Sequence, residues 1–367
     1  MLNKALSFGS TIIALSLCAT LSSGVVVATP STEPTAPVTQ PLAPSPESPT
    51  TFSITPAAAP TIAGCPLFPA NNIWNAKVDW LPIHSKSSAY ISSINGSTTG
   101  LHPDFGTEWE EGPIGIPYTV TTGSQISVTI TFTEYPEESD AGPYPIPTAA
   151  PIEGGPASDG DRHVLVVEKD HCKLYEMYHS YPQGDGSWEA GSGAVYDLNS
   201  NALRPAGWTS ADAAGFPILP GLVRYDEVQS GAITHALRFT ANNIQGDYIW
   251  PARHLHQADP NSNLPPYGQR FRLKASFNIS PYPAQVKVIL TALKTYGMFL
   301  ADKGSDWYIT GTHDDLWDDE MLSSISGVKG SDFEAVDESF LMLDPDSGQA
   351  LIFTPTDWLF LPLTRRS

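Results

Sequence analysis

Short runs with an apolar residue at every second position, cut apart by stretches dense in proline and glycine, leave this chain few ways to fold. Ile126, Val128, Ile130 and Phe132 alternate in QISVTITFT. The same period recurs in RHVLVVEK from Arg162, CKLYEMYHS from Cys172, AVYDL from Ala194, ITHALRFT from Ile233, QRFRLKASF from Gln269 and DWYIT from Asp306. Successive strand side chains point to opposite faces, so each run marks a strand with one apolar face. Turn-rich segments such as EESDAGPYPIPTAAPIEGGPASDGD and YPQGDGSW separate them. The chain carries 34 prolines, too many for a helical fold, because proline lacks the amide proton and clashes with the preceding turn. With no repeated strand-helix alternation, the pattern predicts a mainly β domain, a β-sandwich or jelly-roll.

Helix is expected only in the C-terminal half. PAQVKVILTALKTYG sets Val286, Ile289, Leu290, Leu293 and Tyr296 at three- and four-residue spacing between a proline start and Gly297. DDLWDDEMLSSIS follows, with acids in its first turn where the helix dipole favours them. Both should pack on the sandwich as covers.

The termini and the cysteines bound the compartment. Lys4, an apolar stretch reaching Val27 and the small residues Val26-Val27-Ala28 read as a secretory signal peptide over residues 1–28. Residues 29–64 are Pro, Thr, Ser and Ala with almost no charge, too poor in apolar surface to fold, and are expected to form a disordered, extended linker. Residues 65–367 are expected to form a single β-rich domain, secreted and without a membrane span once the signal is removed, since no other stretch approaches about 18 apolar residues. Cys65 and Cys172 are the only cysteines after the leader, and an exported chain would pair them as a disulfide. Against 19 basic residues stand 39 acidic ones, a formal charge of −20, with no Lys/Arg cluster. A nucleic-acid partner is excluded on that ground.

CPLFPANNIWN, GPYPIP, DRHVLVVEKDHCKLYE, GWTSADAAG, HALRFT, WPARH and GQRFRLKASFNIS together resemble a group of exported proteins of unassigned function. The resemblance spans nearly all of residues 65–337 and implies no activity.

Chemistry has to be read from the residues. His235 falls in phase with Ile233, Leu237 and Phe239, His163 with Leu165 and Val167, and Glu176 with Leu174 and Tyr178. Three strands thus put a titratable group on an apolar face, and a buried carboxylate needs a partner. The strands of His163 and Glu176 are joined through Lys169 to His171, as in a hairpin. His254, a dozen residues past the His235 strand, can return to the same place. His163, Glu176, His235 and His254 are therefore expected to converge on one pocket, with Glu176 and His235 as acid and base and the other two orienting them or holding a divalent metal. The metal's identity stays open, because the spacing matches no metal motif. The long segment LRPAGWTSADAAGFPILPGLVRYDE reads as a functional loop. Trp208 would stack on a sugar ring, while Asp212 and Arg238 would hold its hydroxyls.

Standard serine hydrolases, zincins and nucleotide enzymes are excluded, since the chain has no G-x-S-x-G elbow, H-E-x-x-H, P-loop or dinucleotide fingerprint. Nine tryptophans and fourteen tyrosines suit carbohydrate recognition. The expectation is an exported polysaccharide hydrolase or lyase acting on extracellular polysaccharide or oligosaccharide. The alternative is a non-catalytic carbohydrate-binding or cell-surface adhesion protein, for which a flat aromatic strip would replace a lined cleft.

Overall fold

The computed structural model describes residues 58–352 apart from 110, 111, 257 and 258. The expected signal peptide and nearly all of the expected linker lie outside the described residues. The rest is mainly β, built from several sheets.

A four-stranded sheet orders Ser192–Asp197, Lys173–Tyr178, Val164–Glu168 and Tyr118–Thr121. The hairpin expected through Lys169 to His171 is present: Val164–Glu168 pairs antiparallel with Lys173–Tyr178, Leu165 opposite Glu176. Every residue of Val164–Glu168 is buried. Both faces of this sheet are covered, so the strand reads as the unbroken apolar run VLVV and not as a polar-apolar alternation. Leu165, Val167, Leu174, Ala194 and Tyr196 enter the main core. Val164, Val166 and Met177 face a smaller core with Ile130, Tyr144, Ile146 and Trp188.

A six-stranded mixed sheet orders Phe333–Ala335, Arg270–Leu273, Met298–Lys303, Leu237–Ala241, Tyr308–Thr310 and His102–Asp104. Leu237 and Phe239 from this sheet share the main core with Leu165 and Val167 from the other. Between Leu237–Ala241 and Met298–Lys303 the register shifts: Phe239 pairs with Leu300, but Thr240 pairs with Asp302. Ala301 is the extra residue of a β-bulge, and a bulge turns the side chains that follow it to the other face.

The helix expected after Pro283 forms over Ala284–Thr295, with Val286, Ile289, Leu290 and Leu293 buried. Gly297 ends it at φ 66°, where a Cβ would stand 2.3 Å from the carbonyl oxygen of Phe271, so no other residue fits. The helix expected from residue 314 contracts to Asp319–Ser323, starting where the Asp318 carboxylate accepts the Met321 amide. Two further short helices, Ser87–Ser93 and Tyr225–Ser230, lie outside the expected pair. Each buries only two residues, too few to write a helical period.

Several strands are shorter than their alternation. QISVTITFT forms a strand only over Ile130–Phe132, with Val128 in a single bridge to Tyr144, and Ile126 is 80% exposed. The linker boundary at 64 falls inside folded chain. Thr61–Ile62 pairs with Cys65–Pro66, and Ile62 is buried in the main core.

Cys65 and Cys172 form a disulfide across 107 residues of sequence. It fastens the start of the fold to the turn of the 164–178 hairpin. Reduction, or Cys172→Ala, is expected to lower unfolding free energy by about 4–5 kcal/mol in the chain-entropy model. Denaturant midpoints of oxidised and reduced protein check this, and a difference below about 1 kcal/mol would contradict it.

Candidate functional site

The end of the four-stranded sheet opens into a cavity of about 260 Å³. Tyr178 and Ser192, cross-strand partners, form one wall. The loop 209–213 forms another, and Asp302 closes the site from the six-stranded sheet. Glu134, Asp161 and His254 complete an acidic lining.

The loop holds its shape through its own polar atoms. Ser210 donates its hydroxyl to the Phe216 carbonyl at 2.6 Å and accepts the Asp212 amide at 2.9 Å. Ser192 donates to the Ser210 carbonyl at 2.6 Å, which ties the loop to the sheet. Gly215 sits at φ 73° with the Trp208 carbonyl 2.7 Å from where a Cβ would be, so the loop closes on itself only with glycine there.

Asp212 is fully enclosed and bonded on both oxygens. One accepts the Ala214 amide at 3.1 Å, and the other accepts Arg238 Nε at 2.9 Å with Nη2 at 2.7 Å. The same Nη2 lies 4.0 Å from Asp302 Oδ2, and Nη1 donates to the Thr310 hydroxyl at 3.0 Å. Asp302 also accepts the Ala213 amide at 3.3 Å, yet its side chain stays 29% exposed to the cavity. Two carboxylates therefore share one guanidinium. Burial raises Asp212 to about 7 against the pull of Arg238, with Asp302 adding to the rise. Asp302 is raised by burial too, and Arg238 again opposes. One cation does not fully offset the desolvation of either carboxylate, so both are raised.

His254 reaches this site. Its Nδ1–H donates to the Ala213 carbonyl at 2.8 Å. Nε2 is 3.6 Å from Glu138 Oε2.

The expected convergence of His163, Glu176, His235 and His254 does not occur, since of these four only His254 lines the cavity. His254 and Asp212 line the cavity, and Arg238 stands directly behind Asp212. His163 stands behind the loop, bonded by Nε2 to the Ala211 carbonyl at 3.0 Å and by Nδ1 to Glu153 at 2.6 Å. Burial opposes its charge, but the Glu153 carboxylate outweighs this and lifts it to about 9. It braces the loop as an imidazolium and does not line the cavity.

Glu176 and His235, the expected acid and base, do not line it either. Glu176 has no exposed surface and accepts the Ile218 and Leu219 amides at 2.9 Å each, capping the turn Leu219–Gly221. Its face was read correctly, but that face is core at this depth and becomes cavity only at Tyr178. His235 lies outside any strand, since the strand begins at Leu237. Its Nδ1 is 2.8 Å from the Ala236 carbonyl and its Nε2 is 3.0 Å from Glu227, which also binds Arg224. It is a sealed core histidine. Trp208 lies under the Arg204 guanidinium, 5.7 Å from the ring centroid, and away from the cavity lining. Among the described residues no group of three or more His, Cys, Asp or Glu side chains is arranged to hold a metal ion, so the suggested histidine metal cluster does not assemble.

Asp302 was missed. In MFLADKG it continues the phase of Met298 and Leu300, and the bulge at Ala301 brings it to the Arg238 side. The in-phase charge was legible, but the bulge was not.

No helix among the described residues is long and apolar enough to cross a membrane. In comparisons with known proteins, no family model, no curated protein and no solved structure matches the chain.

Two outcomes follow from these buried charges. Arg238→Met strands Asp212 without a counter-charge and is expected to cost about 3–5 kcal/mol, while adding Asp212→Asn recovers part of that loss. Urea unfolding of the single and double variants measures it, and additive losses would contradict the pairing. For Glu176, burial raises the folded value from 4.5 to about 7, with the two backbone amides opposing. The folded state then binds the extra proton between those values, so this contribution is complete below 4.5 and is lost as pH rises through about 7. Glu176→Gln should flatten the wild-type decline in stability across that window, by at most about 1.4 kcal/mol per pH unit. An unchanged slope would contradict it.

Proposed function

We propose that the chain is an exported carbohydrate-active enzyme, a polysaccharide hydrolase or lyase, working in the cavity between Tyr178, the 209–213 loop and Asp302. The observation that carries this reading is the pair of carboxylates on one guanidinium at a cavity wall. Among the described residues Arg238 donates to side chains there, to Asp212 and Thr310, with Asp302 at 4.0 Å. Glycoside hydrolysis needs one carboxylic acid kept protonated and another ionised beside the same bond. Asp302, raised by burial and open to the cavity, can keep the proton that the acid role needs.

Asp302, the more open of the two, is the proton donor to the leaving oxygen. Asp212, bonded to Arg238 Nε and Nη2 through one oxygen, holds the guanidinium in place. His254, oriented by its Nδ1–H donating to the Ala213 carbonyl, is the base that activates water in hydrolysis or removes a ring proton in elimination. Tyr135 and Tyr178 offer apolar ring surface to a sugar. The disulfide is compatible with an oxidising, extracellular setting. The four- and six-stranded sheets over one core are read as sandwich-like layers.

The test is a panel of plant and microbial polysaccharides incubated with purified protein, with and without chelator. Reducing ends report hydrolysis, and absorbance of unsaturated products reports elimination. Asp302→Asn is expected to lower turnover by roughly 10²–10⁴-fold, the range for losing a positioned acid, with melting unchanged. Saturable binding without turnover across the panel would replace this reading with the non-catalytic binder.

A further inference from the structure

Outside the carboxylate pair, a second constellation has the order orienting acid, base and nucleophile. Glu134 Oε1 lies 2.6 Å from His179 Nδ1, and His179 Nε2 lies 2.9 Å from the Tyr181 hydroxyl. The carboxylate accepts a hydrogen bond from Nδ1–H, which fixes the tautomer and leaves Nε2 to accept from the phenol. That is the geometry by which an acid-oriented histidine activates an oxygen nucleophile. All three side chains are accessible, His179 at 40%, Glu134 at 38% and Tyr181 at 38% exposure.

Two further observations bear on the same tyrosine. The Arg162 guanidinium stands over its ring, 4.3 Å from the centroid. It is buried and fixed by bonds to the carbonyls of Ser180, Pro156 and Ser158. A fixed cation on the ring face stabilises negative charge as it develops on the phenol. His179 itself holds φ 52°, a left-handed backbone uncommon for histidine, kept by its amide bond to the Asp161 carbonyl at 2.8 Å.

We infer that Tyr181 is an activated nucleophile that accepts an acyl group from an uncharged donor. Glu134, bonded to His179, on a chain of formal charge −20, disfavours phosphoryl and sulfuryl donors, which are anionic. The Tyr181 oxygen attacks the carbonyl carbon while its proton passes to His179 Nε2. The tetrahedral intermediate then collapses, the bond to the leaving group breaks, and that group departs with the proton from His179. The product is an O-acyl tyrosine.

N-acetylimidazole, an uncharged acyl donor that releases imidazole, tests this on the full chain. Peptide mass mapping follows acetylation at each tyrosine, and hydroxylamine should reverse it. Tyr181 is expected to react roughly a hundredfold faster than the half-buried Tyr225 and Tyr308, the lower range for a positioned base. His179→Asn keeps a residue that tolerates the left-handed backbone and should bring Tyr181 down to the comparison rate. Equal rates at the three tyrosines, or a Tyr181 rate unchanged in His179→Asn, overturns the inference. Should that variant melt early, Glu134→Gln decides. Tyr181 slowed several-fold supports the inference, and a rate matching wild type overturns it.

Discussion

Long irregular segments leave backbone carbonyls without ladder partners, and a buried carbonyl without a donor is costly. In this protein buried guanidinium groups supply the donors. Arg270, fully enclosed, donates to the carbonyls of Tyr296, Ile73 and Ala76 and pairs with Glu338. One side chain thus ties the segment after Cys65 to a helix end and to the C-terminal turn. Arg272 does the same for Val78 and Leu81, Arg253 for Arg204 and Pro345, and Arg162 for Pro156, Ser158 and Ser180. A guanidinium carries five donors in a rigid fork, so it can meet several carbonyls that share no regular geometry. The chain can therefore hold short strands and proline-rich connections in one core.

Arg238 stands apart from this pattern. It is buried like the others, yet its hydrogen bonds go to the Asp212 carboxylate and the Thr310 hydroxyl, with Asp302 close by. Its charge holds carboxylates at the edge of a cavity and not chain at the edge of a sheet. That arrangement leaves more acid than base in a desolvated place, which is where proton chemistry is tuned. The loop carrying Asp212 is rigid for the same reason that the rest of the fold is. Its polar atoms are spent on each other, on Ser192 and, through the Ala211 carbonyl, on His163.

Some of the site was legible in advance. The segment from Leu203 to Glu227 stood out as a long patternless stretch and does supply Asp212 and the cavity wall. His254 was placed by chain length at the pocket expected around His235, and the structure sets it beside Ala213 of this segment. Phase along a strand correctly set Glu176 with Leu174 and Tyr178 and His163 with Leu165. It misplaced His235, because two-residue alternation continues across the bend that precedes Leu237 although the backbone there is not extended. Phase also says which face a side chain takes, but not whether that face, at that depth, meets core or cavity.

The sequence by itself determined that the chain is mainly β, that residues 164–178 turn back on themselves, that Ala284–Thr295 is helical and that Cys65 and Cys172 stand as partners. These follow from local rules: period, turn chemistry and the count of cysteines. Tertiary structure alone decided which charges meet. Asp212 and Asp302 lie far apart in the chain and come together on Arg238 through a one-residue bulge at Ala301, which no residue pattern announces. Local rules fix the direction of a side chain relative to its own backbone, whereas the separation of two carboxylates depends on how distant segments pack, and their proton affinity depends on the water that packing removes.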